Sequence, residues 1–217
     1  MKKILAWHWV RDNCTLLDGS PLEIGQRLVH KGNLKMCESG YHASHRAMDA
    51  LKYAAGQICC RVKVGGKIVF DTDKMVAQER QVLWAIDATE VLRSFARWCA
   101  LEVIHLWNAP AVVREYLETG REELQVATWS TTWSTAWSTE WNASGSAEWN
   151  ASGSAAKAAA MAAWAARGAG AATWAARGAG AATWAATWGA AKDAAMNKQN
   201  IKLEEMLMAQ WEEEWKP

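Results

Sequence analysis

Residues 128–141 read TWSTTWSTAWSTEW, with a tryptophan at every fourth position from Trp129 to Trp141. An α-helix turns every ~3.6 residues and a strand alternates every two, so this period gives no helical core stripe. In a helix, residues four apart are offset by ~40° around the axis. Trp129, Trp133, Trp137 and Trp141 would then stack on their neighbours while spiralling around the helix. Such a ladder cannot face a single core. In a strand, the same even spacing would put all four on one face with Thr131, Thr135 and Thr139, and both residue types are good strand formers. Both readings stay open for residues 129–149.

The ladder begins a tract, residues 126–196, built almost entirely of Ala, Trp, Gly, Ser and Thr. EWNASGSA occurs twice in tandem, at 140–147 and 148–155, and WAARGAGAAT twice, at 164–173 and 174–183. Perfect copies of unequal length point to recent slippage of repetitive DNA. Alanine dominates residues 155–195 and is the best helix former, so that half reads as helix. Gly168, Gly170, Gly178 and Gly180 each cost ~1 kcal/mol in a free helix. The tract is therefore expected either to be broken into shorter helices or to pack against copies of itself or a partner. Trp129, Trp133, Trp137, Trp141, Trp149, Trp164, Trp174, Trp184 and Trp188 are the expected contact points, with alanine as socket. The closing LEEMLMAQWEEEW is amphipathic and serves as a terminal cap.

Before the tract the composition is ordinary. ILAWHWV reads as a strand, and LLDGSPLEIG carries turn chemistry at Asp18-Gly19 and Pro21. SHRAMDALKYAAG reads as a helix with Ser44 as N-cap and Gly56 as stop. ICCRVKVGGKIVF reads as two strands joined by a Gly65-Gly66 hairpin turn, and RQVLWAI as another strand. Residues 88–107 form an apolar-striped helix capped by Thr89, and PAVVREYLETG a second one, with Pro110 near its start and Gly120 past its end. The expected architecture is an α+β head (1–88), two linking helices (89–120), a helical Ala/Trp/Gly repeat tract (121–196) and an amphipathic C-terminal helix (197–217).

Bulk chemistry narrows the function classes. With 24 basic and 23 acidic residues intermixed, there is no basic block to track phosphates, so nucleic acid is not an expected partner. No signal peptide and no long run of strong hydrophobes stand out, which sets the expectation of a cytoplasmic protein off the membrane. The five cysteines form no C-x-x-C pair and read as reduced thiols. Cys37, His42 and His45, from CESGYHASH, are the weak candidates for a metal site, but their spacing is irregular and a fourth ligand is not evident. No resident metal or cofactor is expected.

Two resemblances bear on function. GYHAS, a helix, paired strands and then KMVAQERQVLWAID resemble the order of elements in arginine-type ADP-ribosyltransferases, where a Ser-Thr-Ser strand precedes a helix and a Glu-x-Glu turn precedes the last core strands. The resemblance implies NAD as cofactor, with Ser44 as the serine and Glu79-Arg80-Gln81 as the turn. Gln81 then stands where the catalytic glutamate belongs, which argues against transferase activity. MCESGYHAS and residues 71–120, followed by the Ala/Trp tract, resemble an uncharacterised family of tailed phages and prophages. That resemblance implies an accessory protein acting by protein contacts, either with itself or with a host protein, and brings no biochemical activity. Capture of nucleotides by the tryptophan faces is a third reading.

Overall fold

The computed structural model describes residues 3–16, 18–141, 147–166, 170–186 and 191–215; side chains are described for these apart from 134–141, 147–153, 186 and 191–192. The chain divides into two compact units: Met1–Thr89 with Leu203–Pro217, and Glu90–Lys202.

The first unit is α+β. Its sheet contains β1 (Ile4–Val10), β2 (Arg27–Val29), β3 (Tyr41–Ala43), β4 (Ile58–Phe70) and β5 (Met75–Asp87), all paired antiparallel, with one short helix, α1 (Ala47–Leu51). The expected hairpin turn at Gly65-Gly66 is not a turn. ICCRVKVGGKIVF is one continuous strand, and the glycines sit at a register irregularity between Gly65 and Ile68. Gly66 takes φ +71°, the left-handed backbone that glycine supplies without strain and that a β-bulge uses. The chain reverses instead at Asp71–Lys74, where Asp71 N–H donates to the Lys74 carbonyl at 2.9 Å. RQVLWAI is accordingly the second half of the long β5.

A second irregularity lies between Arg61 and Val62 and changes which side chains share a face. Val82 pairs with Val62 on the core face, whereas Trp84 pairs with Arg61 on the other. The core face gathers Ala6, Val10, Cys60, Val62, Val64, Met75, Ala77 and Val82. β3 joins β5 along one side, and Trp7 and Ser44 exchange backbone hydrogen bonds of 2.8 and 3.0 Å. The pairings therefore run in a ring, β1–β4–β5–β3 and back to β1, enclosing the core face.

The opposite face is covered by the end of the last helix, α7 (Ala191–Glu214). Trp211 stacks on Trp84 with centroids 5.5 Å apart, Trp84 meets Trp7 edge-on at 5.7 Å, and Arg61 lies 4.3 Å over Trp7. Gln210 Nε2 donates to the Asp87 carbonyl at 2.7 Å. Glu204 Oε1 accepts the Ala47 N–H at 3.0 Å, so a distant carboxylate caps α1. Ser44, expected as that cap, lies outside the helix, whose N-cap position is Arg46.

The second unit is helical. It takes in α2 (Thr89–Glu102) beyond its first residue, α3 (Ala111–Thr119), α4 (Gln125–Trp141), α5 (Ala147–Ala165), α6 (Ala171–Ala186) and the first half of α7. Gly120 closes α3 at φ +72°, as its position predicts. The tryptophan ladder is helix, and α5 packs against both α4 and α6. Alanine forms the interior: Ala156, Ala158, Ala160, Ala162 and Ala163 on α5 are fully buried, as are Ala175 and Ala179 on α6. Polar side chains tie these helices through their carbonyls. Tyr116 Oη donates to Ala162 O at 3.3 Å, Gln125 Nε2 to Ala163 O at 2.8 Å and Gln199 Nε2 to Ala179 O at 2.9 Å.

The Trp7–Trp84–Trp211 stack makes a direct claim on stability. Trp211→Ala removes a large apolar body from the sheet face and is expected to cost about 2–3 kcal/mol. A chain ending at Gly120 loses the whole covering helix, and should melt without cooperativity and bind a hydrophobic dye. A sharp, dye-free melt of that truncation would show that the sheet does not need α7.

Candidate functional site

A cavity of about 420 Å³ opens in the α+β unit. Its lining comes from β1 (Trp7, His8, Trp9), the 14–40 loops (Leu16, Asp18, Cys37, Glu38, Gly40), β3 and the residue after it (Tyr41, His42, Ala43, Ser44), the α1 region (Ala50, Tyr53), Lys74 and Arg80. That volume is in the range of small-molecule sites.

Arg80 is the unusual member. It pairs with Val64 in the β4–β5 register, so strand alternation sends it to the core face, where it is only 5 % exposed. Its Nη1 donates to the His42 carbonyl at 3.3 Å and its guanidinium lies 5.1 Å from the Tyr41 ring. Nε makes no hydrogen bond, and among the described residues no carboxylate lies within ion-pairing distance. A buried charge of this kind costs several kcal/mol unless something compensates it. Burial lowers the Arg80 pKa from its ordinary value.

The surroundings respond to that charge. His8 is held neutral, well below the ordinary histidine range, by burial first and then by the charges of Arg80 and His42. His42 is lowered by burial, then by Lys74 and Arg80. Its Nε2 accepts the Cys37 N–H at 2.8 Å, so that nitrogen carries no proton. At the rim, Lys74 Nζ lies 3.1 Å from Cys37 Sγ and 4.4 Å over the Tyr53 ring. The two lining carboxylates are engaged elsewhere: Glu38 pairs with Lys35 at 2.7 Å, and Asp18 accepts from Ser20 N–H and Oγ–H. The cavity thus joins an electropositive floor to aromatic walls.

The residues proposed from the transferase resemblance do not converge here. Ser44 lines the cavity with its side chain buried. Glu79-Arg80-Gln81, expected as a turn, is the middle of β5. Alternation turns Glu79 and Gln81 to the face opposite Arg80. Glu79 forms an ion pair with Arg27 at 2.6 Å, and Gln81 Nε2 donates to the Gly25 carbonyl at 2.8 Å. Both serve the β2–β5 pairing. Cys37, His42 and His45 are not gathered into a ligand set: His45 stacks on Phe70, and no cluster of three metal-binding side chains occurs among the described residues. Cys59, Cys60 and Cys99 are buried and free, and burial pushes their thiols up, Cys60 to about 12.

The expected contact tryptophans divide. Trp129 stacks on Trp133 at 6.2 Å and meets Trp164 edge-on at 5.7 Å; Trp164 stacks on Trp174 at 5.1 Å. These four therefore pack within the helical unit, although Trp133 is 39 % exposed, and Trp184 is 70 % exposed. The side chains of Trp137, Trp141 and Trp149, and Trp188 altogether, lie outside the described residues. Sequence reading missed Arg80 as a site residue, treating it as the spacer between Glu79 and Gln81. Arg80 stands in the polar run QERQ between apolar MVA and VLWAI, where the strand pattern does not single it out.

Residues 4–94 match the family model described as a domain of unknown function, DUF7666. The match is to an uncharacterised domain, as the sequence led one to expect, and brings neither a phage nor a transferase relationship with it. It covers less than half of the chain but includes every cavity-lining residue, and the tryptophan tract lies beyond it. No curated protein and no solved structure matches the chain. Among the described residues no helix is long and apolar enough to cross a membrane.

The two histidines fix a pH dependence. An unfolded chain protonates them near pH 6.5, whereas the folded unit keeps them neutral to lower pH. Stability is thus fully present above about pH 6.5 and is lost as pH falls below it. Thermal melts between pH 7.5 and 5 should show this decline, and His8→Gln should flatten it. An equal slope in the His8→Gln and His42→Gln proteins would assign the effect to other groups.

Proposed function

We propose that this chain is a non-enzymatic binding protein whose α+β unit captures a small ligand in the Arg80 cavity. The observation that carries the reading is Arg80 itself, a buried cation with no carboxylate in ion-pairing distance among the described residues, lining an open cavity of about 420 Å³. A buried charge without an ion-pair partner is costly, and a bound anion would offset that cost. The test is a thermal-shift screen of charged and neutral small molecules on the full chain, followed by NMR. Hits should perturb the ring resonances of His8, His42 and Tyr41. Hits that perturb only other residues, or a screen in which nothing raises the melting temperature, would sink the reading.

The helical unit supports a second activity, protein contact. Trp184 at 70 % exposure favours it, because an exposed tryptophan on an alanine-rich helix is the kind of anchor that interfaces use. A second copy of the chain is the partner proposed, and a host protein the alternative if the setting is a phage or prophage. Light scattering should report a mass above that of one chain, and Trp184→Ala should lower it. A monomer at all concentrations would remove self-assembly and leave a heterologous partner to be found.

A further inference from the structure

Resting on the ligand-binding reading above, we propose that the cavity is a phosphate site for a small organic molecule about the size of a nucleoside monophosphate. Arg80 would receive the phosphate oxygens from the floor and Lys74 from the rim.

The argument begins with charge. Arg80 and Lys74 are the lining cations, and neither has a carboxylate within ion-pairing distance among the described residues. A short chain of contacts links them: Arg80 donates to the His42 carbonyl, His42 Nε2 accepts the Cys37 N–H, and Lys74 Nζ lies 3.1 Å from Cys37 Sγ. Of the lining carboxylates, Glu38 is paired with Lys35, while Asp18 accepts from Ser20 and acts on Arg80 only from beyond ion-pairing distance. Two cations with no ion-pair partner suit a phosphate monoester, which carries a charge of about −1.5 to −2 near neutral pH. A guanidinium fork also matches phosphate oxygens geometrically, and Arg80 has only Nη1 engaged, on the His42 carbonyl.

Size and walls then ask for more than inorganic phosphate. A bare ion would leave most of about 420 Å³ unfilled. Trp9, Tyr41 and Tyr53 among the lining offer surface against which a planar body can pack. Nucleotide capture by the tryptophan tract, the third reading of the sequence, would lack the cationic cluster that phosphates need. The α+β unit supplies two cations, Lys74 just before β5 and Arg80 within it.

Calorimetric titration of the full chain with adenosine monophosphate, inorganic phosphate and adenosine tests the proposal. Adenosine monophosphate should bind more tightly than inorganic phosphate, and adenosine weakly or not at all. Arg80→Met, a neutral side chain of similar length, should weaken adenosine monophosphate about tenfold or more. It should also raise the melting temperature of the unliganded protein by a few degrees, because an uncompensated buried charge is gone. A merely structural Arg80 predicts the reverse, a lower melting temperature with unchanged binding, and that result overturns the proposal. If Arg80→Met does not fold, Lys74→Ala decides: several-fold weaker binding supports the site, and unchanged affinity overturns it. Adenosine binding as tightly as its monophosphate would overturn the phosphate assignment while leaving a ligand cavity. Failure of all three probes overturns this assignment, and whether the cavity takes any ligand is then read from the thermal-shift screen.

Discussion

Every other strand of the α+β unit hangs on the pairing of β4 with β5. β1 joins the free side of β4, while β2 and β3 join successive parts of β5. Two 13-residue strands are long for a hairpin, and a flat ribbon of that length could not enclose a core. The two register irregularities bend it. They let β3 reach back to β1 through the Trp7–Ser44 bridge, and they decide parity. One extra residue near Leu83 places Val82 inside and Trp84 outside, so one strand feeds both the core and the aromatic face that α7 covers.

Much of this was legible in the sequence. The α+β order, the helical tract and the helix ending at Gly120 follow from pattern and composition, and the uncharacterised head from the resemblance. What failed, failed for definite reasons. A Gly-Gly pair supplies the same backbone freedom to a hairpin turn and to a bulge, and only the partner strand distinguishes them. Ser44 looked like a cap because caps are usually local, whereas the donor at Ala47 is met by Glu204, 157 residues away. The covering of the sheet by α7 is equally nonlocal: no feature of LEEMLMAQWEEEW names Trp84 as its neighbour.

The repeats show the same limit from the other side. The two copies of WAARGAGAAT have identical local preferences. The second lies wholly within α6, while the first contains the end of α5 and the start of α6, with Gly170 at φ +96°. Propensity therefore does not choose between turn and helix here; packing does. Gly178 illustrates the choice. A Cβ there would come within 3.2 Å of Met161 Cβ, so the glycine permits the close approach of α6 to α5.

Arg80 joins these lines of argument. The sequence drew attention to Glu79 and Gln81 as a damaged catalytic pair and passed over the residue between them. In a strand, the middle residue of three faces the other way, so reading 79–81 as a strand moves attention from two solvent-side groups to one core-side cation. Glu79 and Gln81 have ordinary structural partners that account for them. Arg80 has a carbonyl and a ring, in surroundings that hold two histidines neutral. A methionine of similar length would fill the same space at no electrostatic cost. The fold retains the costlier residue, and local conflicts of this kind gather where a protein meets its ligand.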